Sequence, residues 1–377
     1  MKRNECFSRS AFALGISMLL LAGVCSAQWS SRGPAPRLGH SAVLDTAKNK
    51  MIVFGGYTFD PDSPSAAHFN DVWYLGSAFI NGSALSWQEA TTAGTPPPPR
   101  GGHSAVLDSV NNRMIIFGGA GGFADPVYND VWVLENANGV GGTPTWVELS
   151  PTGTLPPARF NHSAFYNPNS NRMIVFGGLS DAGDYSDVWV LENANGLGGT
   201  PNWINFQAQD VSGPVPRDSF AAVYDVTNNI MMVFGGENSF SNTRYSDTWI
   251  LYDADDTPTT FCNGVGCWAG PLNTSSFPPP SARFGHTGFF DPKSNTMHIF
   301  GGYDGNIEND NWVLSEANAL SGVWTKVSPT GTAPLPRFDH TAVYDSSNHR
   351  MVIFGGEITT LGVLTDTVAV LSNANAQ

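Results

Sequence analysis

The chain has 377 residues, of which 41% are hydrophobic and 13% charged, and its formal net charge is −14. A surface this acidic repels phosphate backbones, so we expect neither nucleic acid nor an anionic membrane as a partner. The length alone would allow two average domains, but an internal repeat favours one closed β structure.

The first predicted element is a secretory signal peptide over residues 1–27. Basic residues precede an apolar run from Ala11 to Val24, and small residues follow it before Gln28. This run is too short for a stable membrane span and has the layout of a cleaved export signal. We therefore expect a secreted or periplasmic protein with no membrane insertion, in which residues 28–377 form a single domain.

Two cysteines remain after the predicted signal peptide. Cys262 and Cys267 enclose the short segment NGVG. In an oxidising compartment such a pair is most simply a disulfide that closes a small loop. Half of a thiolate metal site is the alternative, but residues 28–377 contain no second cysteine pair to complete it.

Six copies of one pattern follow, each with an apolar run that ends in two glycines. The first glycines of these pairs are Gly55, Gly118, Gly177, Gly235, Gly301 and Gly355. Their spacing of 54 to 66 residues is typical of propeller blades or solenoid units. Each copy has a short strand such as SAVLD, an unbroken apolar strand such as MIVF, and two alternating segments. Four antiparallel strands in each of six units predict an all-β, six-bladed β-propeller.

The repeat resembles the Kelch repeat, whose second strand ends in a double glycine and whose third and fourth strands carry aromatic residues. The resemblance covers residues 29–377 and implies a Kelch-type propeller similar to secreted galactose oxidases, without their copper site. The third-strand tryptophans are Trp73, Trp132, Trp189, Trp249 and Trp312. The fourth-strand tryptophans are Trp87, Trp146, Trp203, Trp268 and Trp324.

Each tryptophan series lacks a sixth member, and this predicts how the ring closes. The last third strand, within TDTVAVLS, has Val368 at the tryptophan position, and no aromatic residue follows it. Trp29 stands just ahead of the first blade and supplies the missing fourth-strand tryptophan. We therefore expect the N-terminal strand to complete the last blade, which hides both sheet edges.

Three polar series recur at equivalent places in the blades and are interpreted as scaffold. Each blade begins with an arginine, and these are Arg37, Arg100, Arg159, Arg217, Arg283 and Arg337. In five blades a histidine follows three residues later, namely His40, His103, His162, His286 and His340. An aspartate precedes each third strand, at Asp71, Asp130, Asp187, Asp247, Asp310 and Asp366. Members of a series lie on separate blades, so we expect contacts between blades and no metal site, because metal ligands must converge on one point.

Ligand binding is expected where the blades differ, in the loops between second and third strands. The residue after each glycine pair is predicted to face the mouth of the central channel. Blades two and three place only Ala120 and Leu179 there, whereas the other four blades place carboxylates and aromatic rings. The candidate ligand-binding residues are Tyr57, Asp218, Glu237, Tyr303, Asp304, Asn306, Asp339 and Glu357.

Carboxylates, amides and aromatic rings together suit sugar hydroxyls, a basic peptide or Ca²⁺. The sequence has no zinc motif, nucleophile elbow or P-loop. We therefore expect a non-catalytic, monomeric module that binds carbohydrate or protein and uses no cofactor, with Ca²⁺ as the alternative. Kelch-type propellers also include secreted galactose oxidases and periplasmic sialic acid epimerases. The alternative is therefore a carbohydrate-active enzyme of epimerase, lyase or hydrolase type, with Glu237 and Glu357 as its carboxylate pair.

Overall fold

The computed structural model describes residues 33–58, 67–76, 85–122, 126–206, 213–257, 266–272 and 278–374. Every described residue lies within one compact unit, Arg32–Gln377. The regular elements in these ranges are strands, and none is a helix long and apolar enough to cross a membrane. The predicted signal peptide, Trp29 and Cys262 lie outside the described residues, so the export signal, the completion of blade 6 by the N-terminal strand and the disulfide stay predictions.

The first two blades are four-stranded antiparallel sheets. Blade 1 contains β1 (Ser41–Asp45), β2 (Lys50–Phe54), β3 (Tyr57–Thr58), β4 (Ala67–His68), β5 (Val72–Gly76) and β6 (Ser86–Glu89). Blade 2 contains β7 (Ser104–Asp108), β8 (Arg113–Phe117), β9 (Val131–Glu135) and β10 (Thr145–Leu149). The blade sheets run β1-β2-β5-β6 and β7-β8-β9-β10, while β3 and β4 form a separate short hairpin between the second and third strands of blade 1.

Blades 3 and 4 repeat this plan. Blade 3 contains β11 (Thr152–Gly153), β12 (Ser163–Asn167), β13 (Arg172–Phe176), β14 (Leu179–Ser180), β15 (Gly183–Asp184), β16 (Val188–Glu192) and β17 (Asn202–Phe206). Blade 4 contains β18 (Ala221–Asp225), β19 (Ile230–Phe234), β20 (Glu237–Asn238), β21 (Thr243–Arg244), β22 (Thr248–Tyr252) and β23 (Cys267–Ala269). The short β11 pairs parallel with β17 and so extends the outer edge of blade 3.

Blades 5 and 6 differ in how many strands are described. Blade 5 contains β24 (Thr287–Asp291), β25 (Thr296–Tyr303), β26 (Ile307–Leu314) and β27 (Trp324–Val327). Blade 6 contains β28 (Thr341–Asp345), β29 (Arg350–Phe354) and β30 (Val368–Ser372). Among the described residues β30 pairs only with β29, so its outer edge is where a fourth strand of blade 6 would pair.

The ring closes through the first strands of the blades. These strands contact one another in the cyclic order β1, β7, β12, β18, β24, β28 and back to β1. Across the last contact, His40 Nε2 lies 2.7 Å from the hydroxyl of Thr341. The predicted six-bladed propeller is therefore confirmed.

The second strands form the core because each is covered by sheets on both sides. In β2 the four residues from Met51 to Phe54 are all fully buried, which explains the unbroken apolar run in the sequence. The glycine pair that follows requires positive φ, 63° at Gly55 and 90° at Gly56. A Cβ atom on Gly56 would lie 2.7 Å from the Cβ atom of His40, so a side chain has no room there.

Each fourth-strand tryptophan fills the gap between its own blade and the preceding one. The indole packs on the phenylalanine that ends the second strand of the preceding blade, with ring centroids 4.8–5.1 Å apart. The five contacts are Trp87–Phe354, Trp146–Phe54, Trp203–Phe117, Trp268–Phe176 and Trp324–Phe234. Phe300 is the sixth phenylalanine of this kind, and no described tryptophan packs on it. It lines a cavity of about 830 Å³ that also borders β30.

The third strand of blade 6 corrects two sequence assignments by one residue. Ala369 pairs with Ile353 as Trp73 pairs with Val53, so Ala369 and not Val368 holds the tryptophan position. Thr367, and not Asp366, correspondingly holds the aspartate position. The prediction was wrong because TDTVAV lacks the tryptophan that fixes the register in the other blades, and its aspartate, Asp366, lies one residue before the position that Asp71 holds in blade 1.

Candidate binding site at the channel mouth

The arginine at the start of each blade fixes the backbone from which the mouth is built. In blade 1 the Arg37 guanidinium donates to the carbonyl of Gly55 at 2.9 Å and to both carboxylate oxygens of Asp71 at 2.6 and 2.9 Å. The indole of Trp73 donates to the same carboxylate at 2.6 Å. The same bonds recur in blades 2 to 5, so the arginine locks the glycine pair to the third strand.

Twelve residues surround the mouth in six backbone pairs. In each blade the residue after the arginine pairs antiparallel with the residue after the glycine pair. We call these residues the mouth ring, and its pairs are Leu38–Tyr57, Gly101–Ala120, Phe160–Leu179, Asp218–Glu237, Phe284–Tyr303 and Phe338–Glu357. The position predicted to face the mouth therefore belongs to a rigid ring in every blade.

A second ring lies next along the chain and lines the central cavity. Its members, one residue after the mouth ring, are Gly39, Gly102, Asn161, Ser219, Gly285 and Asp339. All six have a left-handed backbone, with φ between 50° and 65°. From Gly102 to Asp339, each N–H donates to the carbonyl of the equivalent residue in the preceding blade at 2.7–3.1 Å. We call this set the inner ring, and the cavity it borders has a volume of about 160 Å³.

The predicted histidine ring is a set of contacts between blades. His103 Nε2 lies 2.9 Å from the Ser41 hydroxyl of the preceding blade, and the same contact recurs at His40, His162 and His340. Burial lowers the pKa of His103 to about 3, so the imidazole is neutral at neutral pH. In the described ranges no group of three His, Cys, Asp or Glu side chains is placed to hold a metal ion.

Two carboxyl groups of the mouth have strongly raised pKa values. Burial, followed by the charges of Glu357 and Glu237, raises the pKa of Asp339 to about 7. Asp218 is only 1% exposed and accepts hydrogen bonds from the hydroxyls of Ser219 and Ser239, both at 2.7 Å. Burial and the neighbouring Asp184 raise its pKa to about 8.

The two glutamates of the mouth ring lie on the same acidic side. Burial raises the pKa of Glu237 and of Glu357. The carboxylate of Glu357 accepts a hydrogen bond from the Gly362 backbone at 3.0 Å. Glu237 lies 4.0 Å from the guanidinium of Arg244, and this charge and a hydrogen bond from the Ser239 side chain partly offset the effect of burial on its pKa.

Aromatic rings flank these carboxylates. The Tyr57 ring stacks on His68 with centroids 5.1 Å apart, and burial and the charges of Asp339 and Glu357 raise the pKa of its hydroxyl. On the other side of Glu357, Tyr303 packs against Phe284 and Phe338 at 5.5 and 5.7 Å. Aromatic rings thus lie on both sides of Glu357, with Tyr303 between Glu357 and Glu237 in the order of the blades.

Not all of the sequence-predicted residues contribute a free group to the mouth. Tyr57 and Asp339 line the cavity, and Asp218, Glu237, Tyr303 and Glu357 belong to the mouth ring. Asp304 instead accepts hydrogen bonds from the Ser281 hydroxyl at 2.5 Å and from the Asn306 backbone at 3.0 Å. Burial raises its pKa, but these hydrogen bonds outweigh burial and hold the pKa below its usual value. Asp304 and Asn306 therefore shape their own turn.

Two charged residues of the site were missed by sequence reasoning. Asp184 comes from blade 3, which was expected to present only an apolar residue, and it accepts backbone hydrogen bonds from Ser239 and Phe240 at 3.3 and 3.4 Å. Arg244 lies over the ring of Tyr303, 4.6 Å from its centroid. Each residue stands opposite a mouth-ring residue in a short hairpin, so pairing the loop sequences across the hairpins would have found both.

Comparison with known proteins identifies the repeat. The KLHDC2/KLHL20/DRC7 Kelch-repeats domain matches residues 22–135, 69–257 and 266–375, which is most of the chain. The chain belongs to the Kelch-repeat family. Host cell factor 2 of Homo sapiens is 30% identical to this Kelch-repeat propeller over 294 residues, covering 76% of the chain and 34% of that protein.

Other similar proteins carry the same repeat in different surroundings. An F-box/kelch-repeat protein of Arabidopsis thaliana is 28% identical over 284 residues, covering 71% of the chain and 55% of that protein. The flagellar outer-arm dynein alpha chain of Chlamydomonas reinhardtii is 28% identical over 334 residues, or 86% of the chain and 7% of that protein. The chain thus spans about half or less of these relatives' lengths. The solved structure of YjhT shares the fold, with a TM-score of 0.59 at 15% identity, covering 90% of this chain and 99% of the other.

Proposed function

We propose that this Kelch-repeat propeller is a non-catalytic module that binds a basic segment of another protein at its mouth. The observation that carries the proposal is that Asp184, Asp218, Glu237, Asp339 and Glu357, from blades 3, 4 and 6, raise one another's pKa at the mouth. Membership of the Kelch-repeat family supports protein binding over catalysis. We also propose that the protein acts as a monomer in an exported compartment.

The charge state of this group favours a cationic ligand. Burial and repulsion by neighbouring carboxylates raise the pKa of Asp218 and of Asp339 toward neutrality. Nearby positive charges in the free protein are therefore too few to balance these two carboxylates. A lysine or arginine side chain placed among them supplies that counter-charge and forms charge-assisted hydrogen bonds. The net charge of the whole chain, −14, also attracts a basic partner over longer distances.

The size of the cavity favours a protein side chain over a small molecule. Its volume of about 160 Å³ lies below the range of about 300–1,000 Å³ that encloses a small-molecule ligand. Around it, the loops between second and third strands expose apolar side chains: Phe240 is 64% exposed and Leu361 80%. A partner that inserts one basic side chain and covers these apolar residues fits both features.

A carbohydrate-active enzyme is the second candidate, and one observation favours it. Burial raises the pKa of both Glu237 and Glu357, as a general acid requires. Against it, neither glutamate borders the cavity, whose lining includes Tyr57 and Asp339 instead. Carbohydrate binding without catalysis would use the same aromatic rings and carboxylates.

A peptide and glycan array with the purified protein tests the proposal. We expect basic peptides to bind, and the double variant Glu237→Gln/Glu357→Gln to lose about 1.5–3 kcal/mol of affinity for each charged hydrogen bond removed. Ala120→Ser, at the mouth-ring position of blade 2, which supplies none of these carboxylates, is the control and should bind nearly as wild type. Selective glycan binding, or loss of peptide binding only in the control, would overturn the proposal.

A further inference from the structure

Blade 6 departs from the other blades along one face of its third strand. In blades 1 to 4 this face carries an aromatic ring, an aspartate and a tryptophan at alternate positions, such as Phe69, Asp71 and Trp73. The blade-start arginine stacks on the aromatic ring at 4.2–4.4 Å and forms an ion pair with the aspartate at 2.6–2.7 Å. In blade 6 the three positions hold Thr365, Thr367 and Ala369.

This replacement leaves Arg337 without a counter-charge among the described residues. Its side chain is buried, with 1% exposed, and it donates to the carbonyls of Leu335 and Gly355 at 3.1 and 3.0 Å. Nη2, which meets a carboxylate oxygen in the other blades, meets the Thr367 hydroxyl at 3.1 Å. A buried guanidinium with only neutral partners is strongly unfavourable, because it has lost its hydration without gaining an ion pair. Burial accordingly lowers the pKa of Arg337.

The same replacement places an exposed threonine beside the guanidinium. Thr367 is exposed, and its hydroxyl, which accepts a hydrogen bond from Nη2, lies 2.9 Å from the hydroxyl of the buried Thr365. Ala369 stands where an indole in blades 1 to 5 covers the carboxylate and donates to it. Ala369 also borders the cavity of about 830 Å³ beside β30, so the position that the indole covers in blades 1 to 5 faces open space in blade 6.

We propose that Arg337 and Thr367 form a binding site for a carboxylate group that the described part of the chain does not supply. The carboxylate accepts hydrogen bonds from Nη2 and the threonine hydroxyl and restores the ion pair that the aspartate makes in blades 1 to 5. Its source is a small carboxylate in solution or the carboxylate of a partner protein, since both present the same chemistry. In this site the guanidinium of Arg337 faces the third strand of blade 6, whereas the acidic mouth is formed by the residues that follow the arginine and the glycine pair.

Thermal unfolding of the full protein in acetate and in chloride at equal ionic strength tests this site. We expect acetate to raise the Tm of the wild type above its value in chloride. Thr367→Asp supplies the carboxylate internally, so it should raise the Tm in chloride and abolish the difference between the salts. Ala369→Trp closes the approach without changing charge and should abolish the difference as well.

A gain-of-response variant in blade 1 is the matched control. Asp71→Thr/Trp73→Ala copies the blade 6 residues, so it should lower the Tm in chloride and acquire a stabilisation by acetate that wild-type blade 1 cannot show. N-Acetylalanine compared with N-acetylalaninamide then separates the sources: an effect of N-acetylalanine beyond that of acetate points to a peptide terminus, and an equal effect to a small carboxylate. An equal acetate response in wild type, Thr367→Asp and Ala369→Trp would overturn the site, whether or not the blade 1 variant folds.

Discussion

The side-chain amide of Asn167 donates a hydrogen bond to the carboxylate of Asp255 at 2.8 Å, joining the first strand of blade 3 to the loop after the third strand of blade 4. The neighbouring contacts have the opposite order. There the first strand ends in the aspartate, as in Asp108, and the following blade supplies the amide, as in Asn195, at 2.7 Å. At this contact the amide is therefore on the first strand and the carboxylate on the following blade, at Asn167 and Asp255, which are 88 positions apart. Each contact still has one carboxylate and one amide.

This exchange predicts strong energetic coupling between the two positions. Asn167→Asp should destabilise the protein by about 2 kcal/mol or more. The substitution places two carboxylates together and removes the hydrogen bond that Asn167 donates to Asp255. Adding Asp255→Asn should recover part of that loss, although Ser170 and Asn229 also donate to Asp255 and limit the recovery. Urea unfolding of wild type, both single variants and the double variant measures the coupling. Additive single effects would contradict it.

The acidic mouth predicts a loss of stability as the pH rises. The pKa of Asp218 is about 8 and that of Asp339 about 7 in the folded protein, above the value of about 3.9 for an unfolded aspartate. Both groups thus bind protons more tightly when folded, and this stabilisation, complete below about pH 4, disappears as the pH rises to about 8. Asp218→Asn should therefore gain in Tm relative to wild type between pH 5 and pH 8.5.

Asp304→Asn is the control for this pH dependence. The pKa of Asp304 is below its usual value, so its stabilisation is lost only as the pH falls through the acidic range. Between pH 5 and pH 8.5 its difference in Tm from wild type should stay constant. A constant difference for Asp218→Asn as well would show that Asp218 is ionised throughout.

The same groups predict that a basic ligand binds more tightly as the pH rises. Only the ionised forms of Asp218 and Asp339 attract a cation, and both ionise around neutrality. The Kd of a basic peptide, measured by calorimetry at fixed ionic strength, should fall between pH 6 and pH 8.5. Asp218→Asn/Asp339→Asn should bind more weakly and show a smaller change with pH, and an unchanged profile would assign the binding to other residues.

The predicted ring closure gives Trp29 the role that Trp87 has in blade 1. Trp29 would pack on Phe300 as the five other fourth-strand tryptophans pack on their phenylalanines. Trp29→Ala should then cost about 3–5 kcal/mol in the free energy of unfolding, as for a buried core tryptophan. Trp87→Ala is the matched control, and deletion of residues 28–36 should cause aggregation or a large fall in Tm. Unchanged stability and a monomeric state after both N-terminal changes would contradict the closure.

The disulfide prediction concerns Cys262 and Cys267. Because the loop between them is short, reduction should cost only about 2 kcal/mol. Alkylation of the exported protein without reductant, followed by mass spectrometry, should find neither cysteine modified. Alkylation of both cysteines would exclude the disulfide.

The sequence was informative where the repeat imposes the same requirement on every blade. Gly56 and its equivalents follow from backbone geometry, and the blade-start arginines from one shared ion pair, so both could be predicted. The assignment in blade 6 was wrong by one residue because Thr367 and Ala369 have lost the side chains that mark the register. Asp184 was missed because its place depends on hairpin pairing. The hydrogen bond from Ser281 to Asp304 could not be predicted because these residues are 23 positions apart in the chain.

Each histidine contact joins two different repeats, so the unit that is repeated in the sequence is not the unit that is stabilised. In blade 4, Phe220 replaces the histidine, although blade 3 still offers Ser163 at the position that bonds a histidine elsewhere. One junction later, blade 4 has Ala221 in place of the hydroxyl residue, and His286 accepts a hydrogen bond from its backbone N–H instead. Because that N–H occupies Nε2, the neutral ring carries its proton on Nδ1. Whether a substitution in one blade is stable therefore depends on the residues it contacts in the two neighbouring blades. Two blades with similar sequences are not interchangeable unless their neighbours supply matching contact residues.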